Sequence, residues 1–337
     1  MEENKARKIK MLKSYSNNDQ LNFNKHKKYV LILGILAAVL IMTNTATGAW
    51  LWKALRVQES FKKRYPLIDI SRNFTPQEHF ITNIESLRKE LRELVAKEGS
   101  DFISLYFEYL NTGANISINP DLNIWPASLA KLPLAMVVMK KVENGVWSLD
   151  NELVMMEQDK DTHSGVLYKN AIGTRFTIET LLQELLSNSD NTAYRILLRN
   201  ITSDELAGII EAVGLDDLFK ADGRVSAKEY SRLPRALYVS SFLKRDNSQK
   251  ILQWLADSSF QEYLSSGLPD NILFAHKFGE NEQFSAYADS GIAYVPNRPY
   301  LLTVMIQKKG NTTEDREKVK ELMKSISEKT YNYVANY

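Results

Sequence analysis

Trp125-Pro126-Ala127-Ser128-Leu129-Ala130-Lys131 runs into the apolar segment Leu132-Pro133-Leu134-Ala135-Met136-Val137-Val138-Met139, and this stretch decides the fold. Apolar on nearly every side, the segment predicts a buried helix around which a domain must be arranged. At its entrance Ser128 and Lys131 stand about one helical turn apart, so an amine faces a hydroxyl and can take its proton. Spacing alone does not single them out, because Ser60 with Lys63 and Ser241 with Lys244 repeat it. The flanking Trp-Pro-Ala and the apolar run do. Pro133 is a local conflict, since it removes a backbone hydrogen bond, and it is tolerated most easily near a first turn.

Two further motifs follow in order, Ser189-Asp190-Asn191 and Lys277-Phe278-Gly279. The set S-x-x-K, S-D-N and K-T-G marks class A β-lactamases and penicillin-binding proteins. The chain resembles that family of serine hydrolases over residues 67–337. The resemblance implies acyl transfer through Ser128, with Lys131 as base, Ser189 relaying a proton to the leaving group and Asn191 bonding the substrate's amide. Asp190 is expected to point inward and brace its loop. Lys277 is implied to attract the substrate's carboxylate, and Gly279 to leave room for substrate along the strand edge. The backbone N–H of Ser128, at a helix start, and by resemblance that of Glu280 are the expected oxyanion donors.

Phe278 departs from the pattern. The family carries Thr or Ser there, whose hydroxyl binds the carboxylate, so Phe278 is either a changed substrate-binding position or a residue that alternates into the core. A class A β-lactamase also needs a carboxylate that activates the deacylating water, within an E-x-x-L-N segment that this chain lacks. Glu229 is the best-placed substitute, but Ser226-Ala227-Lys228-Glu229 already reads as a capping box. An acyl-enzyme formed with a β-lactam is therefore expected to persist.

Composition sets the outer bounds. The chain has 337 residues and a formal charge of +2, which gives no pull toward nucleic acid. It has no cysteine, which excludes thiolate chemistry and fits an exported protein without disulfides. His163 and His276 lack metal-ligand spacing, so neither a metal nor a cofactor is called for. From Tyr29 to Trp52 there is no charged residue, and a helix of that length would reach roughly 36 Å, enough to span a bilayer. Residues 29–52 are expected to be a transmembrane anchor, with the basic tail 1–28 cytoplasmic and the rest outside. A cleaved signal peptide, processed near Ala46-Thr47-Gly48-Ala49, is the other reading. Residues 53–75 read as a stalk, leaving 76–337 as the hydrolase domain.

Within that domain Thr75-Pro76 predicts a helix to Lys97. Strands are expected at 102–111 and 116–119, with a short one at 153–156. Helices follow at 177–186, 191–198, 203–213 and 226–243, then strands at 272–278, 286–295 and 300–307, and a last helix at 313–334. The expected class is α+β: an antiparallel sheet flanked by helices, with an inserted all-helical subdomain and one transmembrane helix ahead of it.

The expectation is thus a membrane-anchored serine acyl hydrolase or transferase outside the cytoplasmic membrane. Its partners would be D-alanyl peptides of peptidoglycan, or β-lactams, but not nucleic acid. A true class A β-lactamase and a catalytically weak binding or sensing domain stay open beside it.

Overall fold

The computed structural model describes residues 62–68, 81, 83–99, 102–212, 223–310 and 312–337, with scattered positions between 27 and 60. The chain divides into two compact units, Met1–Arg64 and Tyr65–Tyr337. Most of the tail 1–28 and of the expected span 29–52 lies outside the described residues, and the positions described there are helical and exposed. Among the described residues no helix is long and apolar enough to cross a membrane.

The larger unit is built on an antiparallel sheet of five strands among the described residues. These are β1 (Ile103–Tyr109), β2 (Ala114–Ile118), β5 (Phe274–Asn281), β6 (Ala286–Ala293) and β7 (Tyr300–Gln307), in the order β2-β1-β7-β6-β5. The side-chain period of two sorts each strand onto two faces. Ile103, Leu105, Phe107 and Tyr109 point to one face, where α1 (Glu85–Lys97) contributes Leu87, Leu91 and Val95 and the C-terminal helix Thr313–Asn336 contributes Val319, Met323 and Ile326. Ala275, Ala288, Ile292, Leu301 and Met305 point to the other, onto the helical insert between β2 and β5.

At the centre of that insert is the predicted buried helix, α2 (Lys131–Glu143), whose residues from Lys131 to Met139 are all buried. Around it pack α3 (Ile178–Ser187), α4 (Asn191–Arg199), α5 (Ser203–Ala212), α6 (Ala227–Tyr230), α7 (Arg232–Tyr238) and α8 (Arg245–Ala256). Pro133 finds its explanation here. The amide it lacks would have bonded the Leu129 carbonyl, which accepts instead from the buried Tyr230 hydroxyl at 2.8 Å. The proline takes away one donor to this carbonyl, which also accepts from the Lys131 amide, and a tyrosine from another element supplies another.

Four expectations need correcting. The first helix begins at Glu85, not near Pro76: Ile81, Asn83 and Ile84 are not helical, and the Asn83 side chain accepts from the Glu85 amide at 3.1 Å, opening the helix there. The insert is not all-helical, because β3 (Glu152–Val154) and β4 (Arg175–Thr177) pair antiparallel with Leu153 opposite Phe176. The single helix expected over 226–243 is two: Pro234 cannot donate to the Tyr230 carbonyl, and the Ser231 hydroxyl turns to the Ala227 carbonyl and to Thr303, both at 2.7 Å. Finally, α8 was not expected. Its first turn is capped from afar, by Glu143 accepting from the Lys244 amide and the Asn247 side chain.

Candidate active site

Ser128 lies in a 3-10 turn, Ala127–Ala130, just ahead of α2. Ala127 before it has φ +49 and Ser189 has φ +52, a left-handed backbone that costs a non-glycine residue energy and marks both turns as shaped by their surroundings. The turn rests on β5, an edge strand. A Cβ on Gly279 would come within 2.7 Å of the Ser128 amide nitrogen and 3.0 Å of the Pro126 carbonyl. Gly279 thus makes room for the serine's own backbone, which is what occupies the space above the strand.

Lys131 is the first residue of α2 and only 3% exposed. Its ammonium donates to the Ser189 carbonyl, to Ser189 Oγ at 3.0 Å and to Asn191 Oδ1 at 2.6 Å. An ammonium has three hydrogens, so the charged form has none left for Ser128. Burial pushes this amine down to about 8, against the opposing pull of Asp190 and Asp161. Near neutrality a useful fraction is the free amine, whose lone pair can accept a proton. The two decoys differ in kind: Ser60, Lys63, Ser241 and Lys244 are all exposed.

Ser189 and Asn191 reach Lys131 because their turn is braced from beneath. Asp190 is fully buried and caps α4 by accepting from the Ala193 amide at 2.8 Å. Its other oxygen accepts from the amides of Val166 and Leu167 at 2.6 and 2.8 Å. Gly165 permits this, since any Cβ there would collide with the Asp190 carboxylate. The inward, bracing Asp190 expected from sequence is what the geometry has.

Lys277 is on β5, on the face turned to the insert, and is 1% exposed. Its ammonium donates to the Phe278 carbonyl at 3.1 Å and lies 5.6 Å from the centre of the Phe260 ring. Burial first, then the nearby charge of Lys131, hold it well below the ordinary lysine value, with Asp289 opposing. Phe278 points to the opposite face. Its ring stacks on Tyr263 at 4.3 Å and leans on Phe260 at 5.7 Å, so the core reading of this residue holds and the site receives its carbonyl rather than its side chain. The Glu280 carboxylate is tied to the Tyr263 hydroxyl at 3.0 Å and to Arg316 at 2.9 Å, leaving its backbone as the part available to chemistry.

The remaining sequence candidates sit elsewhere. Glu229 closes the capping box with Ser226, as its spacing implied. His276 is buried between Asp289 at 2.8 Å and the Phe260 carbonyl at 3.2 Å. His163 is exposed but bonds Asp161 at 3.0 Å. Sequence reasoning missed Asp161 altogether. The signal was there as paired charges, Asp159 and Asp161 against Arg195 on the predicted helix 191–198 and Arg199 just past its end.

Comparison with known proteins places this arrangement. The sequence model of the Beta-lactamase enzyme family matches residues 86–334, which contain all three motifs. The chain belongs to that family, and it is a serine hydrolase of the β-lactamase kind. It is 26% identical over 251 residues to Beta-lactamase VEB-1 of Pseudomonas aeruginosa, covering 67% of this chain and 83% of that one. Over 162 residues it is 29% identical to the Beta-lactamase regulatory protein BlaB of Streptomyces cacaoi, covering 47% and 50%. Among solved structures PBP-A superposes with a TM-score of 0.67 at 21% identity, covering 75% of this chain and 97% of that one. The TLA-3 extended-spectrum β-lactamase gives 0.66 at 18%, covering 75% and 100%. Both confirm the α+β β-lactamase-like fold.

Proposed function

We propose that this hydrolase forms an acyl-enzyme on Ser128 and releases it slowly. The carrying observation is convergence: Lys131 Nζ bonds Ser189 and Asn191, while the backbone of Gly279 backs the Ser128 turn, so motifs far apart in sequence meet around that turn. Neutral Lys131 takes the Ser128 proton as Oγ attacks a carbonyl carbon. The amides of Ser128 and Glu280 stabilise the oxyanion, and Ser189 passes a proton to the leaving nitrogen. Asn191 offers an amide hydrogen to the substrate, and Lys277 in its protonated form favours a substrate carboxylate. Slow release follows from Glu229 being engaged in its cap, where it cannot serve a water.

The substrates proposed are D-alanyl peptides of peptidoglycan, with β-lactams as their mimics. A PBP-A variant has been solved as its acyl-enzyme with penicillin G, which supports this class. The hydrophobic 29–52 segment supports a membrane anchor with the hydrolase outside the cytoplasmic membrane. A β-lactamase that turns antibiotic over is the second reading, favoured by the relationship to VEB-1. Intact-mass spectrometry over time with a penicillin, beside Ser128→Ala, separates the two. A lasting adduct on the wild type alone supports slow release, and a fleeting adduct with accumulating hydrolysed drug supports the β-lactamase. No adduct would favour a binding or sensing role on the same fold.

A further inference from the structure

We propose that Asp161, outside the three motifs, is a positioning residue that fixes which end of the Asn191 amide faces Lys131. The inference rests on the proposed acylation of Ser128. An asparagine amide is almost symmetric in shape, so its direction must be set by its neighbours. Asn191 lies between the Lys131 ammonium, which only donates, and the Asp161 carboxylate, which only accepts. Its Oδ1 takes a hydrogen from Lys131 at 2.6 Å, and its Nδ2 gives one to Asp161 Oδ1 at 3.2 Å. A flipped amide would set NH2 against ammonium and oxygen against carboxylate, losing both bonds. The second Nδ2 hydrogen stays available for substrate.

Asp161 is itself held on every side. Its Oδ1 also accepts from the His163 amide at 2.9 Å and from His163 Nδ1 at 3.0 Å, while Oδ2 accepts from Arg195 at 2.5 Å. The Asp161 amide donates to Thr192 Oγ1 at 3.1 Å. Burial alone would raise its carboxyl, but the bonds from His163 and Asn191 and the Arg195 charge outweigh it and hold the group below its ordinary value. A carboxylate only accepts, so Nδ1 of His163 carries the ring proton when the ring is neutral. One turn further along α4, Arg199 grips Asp159 through Nε at 3.0 Å and Nη2 at 2.9 Å. Two arginines thus clip two aspartates of the segment between β3 and β4 to the helix that begins with Asn191, and Asp161 cannot drift relative to the amide it orients.

The test is Asp161→Asn in the full chain, read by the time course of penicillin adduct formation across pH. An asparagine there offers both donor and acceptor and no longer specifies the direction of Asn191. Acylation should slow about 10-fold or more, the scale of small misplacements. The rising limb of the pH profile should also move to lower pH, because a charge that favours the Lys131 ammonium is gone. Asp159→Asn loosens the same loop without touching Asn191 and should stay near wild type in both readings. Wild-type rate and limb in Asp161→Asn, or equal losses in Asp159→Asn, would overturn the proposal.

Should the wild type form no adduct, the acylation reading fails while this inference still stands or falls by NMR titration of Lys131 Cε. A lower midpoint in Asp161→Asn supports it, and an unmoved one sinks it. If Asp161→Asn does not fold, the side-chain amide of Asn191 in the wild type decides. Two solvent-like hydrogens would refute the bond to Asp161, and one protected hydrogen would support it.

Discussion

Lys131 carries the greatest demand of any single residue, because it must be buried enough to lose its proton and bonded enough to stay in place. With its amine near 8, acylation should rise about tenfold per pH unit below that value and level off above it. A stopped-flow or quenched adduct assay from pH 6 to 10 reads the limb directly. Gly279 sets a second constraint at the same scale. A methyl group there would meet backbone that cannot swing aside, 2.7 Å from the Ser128 nitrogen. Gly279→Ala should cost about 100-fold in acylation while the far-ultraviolet circular dichroism stays that of the wild type.

At the scale of elements, the contact between α6 and the turn that leads into α2 makes a prediction in two steps. Tyr230→Phe removes the hydroxyl bond to the Leu129 carbonyl and leaves it only the Lys131 amide, a loss of about 1 kcal/mol. Adding Pro133→Ala restores an amide able to bond that carbonyl along the helix. The double variant should therefore recover part of the loss, which urea unfolding of the four proteins would show as a favourable coupling. The same contact explains what sequence could and could not yield. α2 was legible because its apolar run is local, and β7 because its run Tyr300 to Ile306 is almost as apolar and is buried throughout. α8 was not, since its cap is Glu143 from another element; nor was the break at Ser231, whose hydroxyl answers to Thr303 across the core. Asp161 shows in the sequence only as half of a charge pair, and its bond to Asn191 exists only once α4 lies beside it.

For the molecule as a whole, buried titratable groups set how stability follows pH. Lys131 and Lys277 both sit below their ordinary values when folded. Through Lys131 the unfolded chain binds more protons from about pH 8 upward, Lys277 acts in the same direction, and stability should rise with pH there. From Lys131 alone the gain between pH 7.5 and 9.5 is about 1–2 kcal/mol. Above pH 10 the trend should reverse, because the buried Tyr230, Tyr294 and Tyr300 hold their protons more tightly folded than unfolded. Denaturant unfolding at closely spaced pH values would show a maximum between these regimes, and Lys131→Met should flatten its rising side.

The strand order has a mechanical consequence. β1 follows α1 and is bonded along its length to β2 on one side and β7 on the other. Tension entering the larger unit from its N-terminal side, as it would from any tether there, first meets Leu67, held by Gln249 and Tyr294, and beyond it reaches the sheet through β1. That strand can slide out only by breaking two ladders at once, in shear rather than one bond at a time. Ser128 lies beyond both β1 and β2 in the chain, so the nucleophile is sheltered from a pull that its own domain must bear.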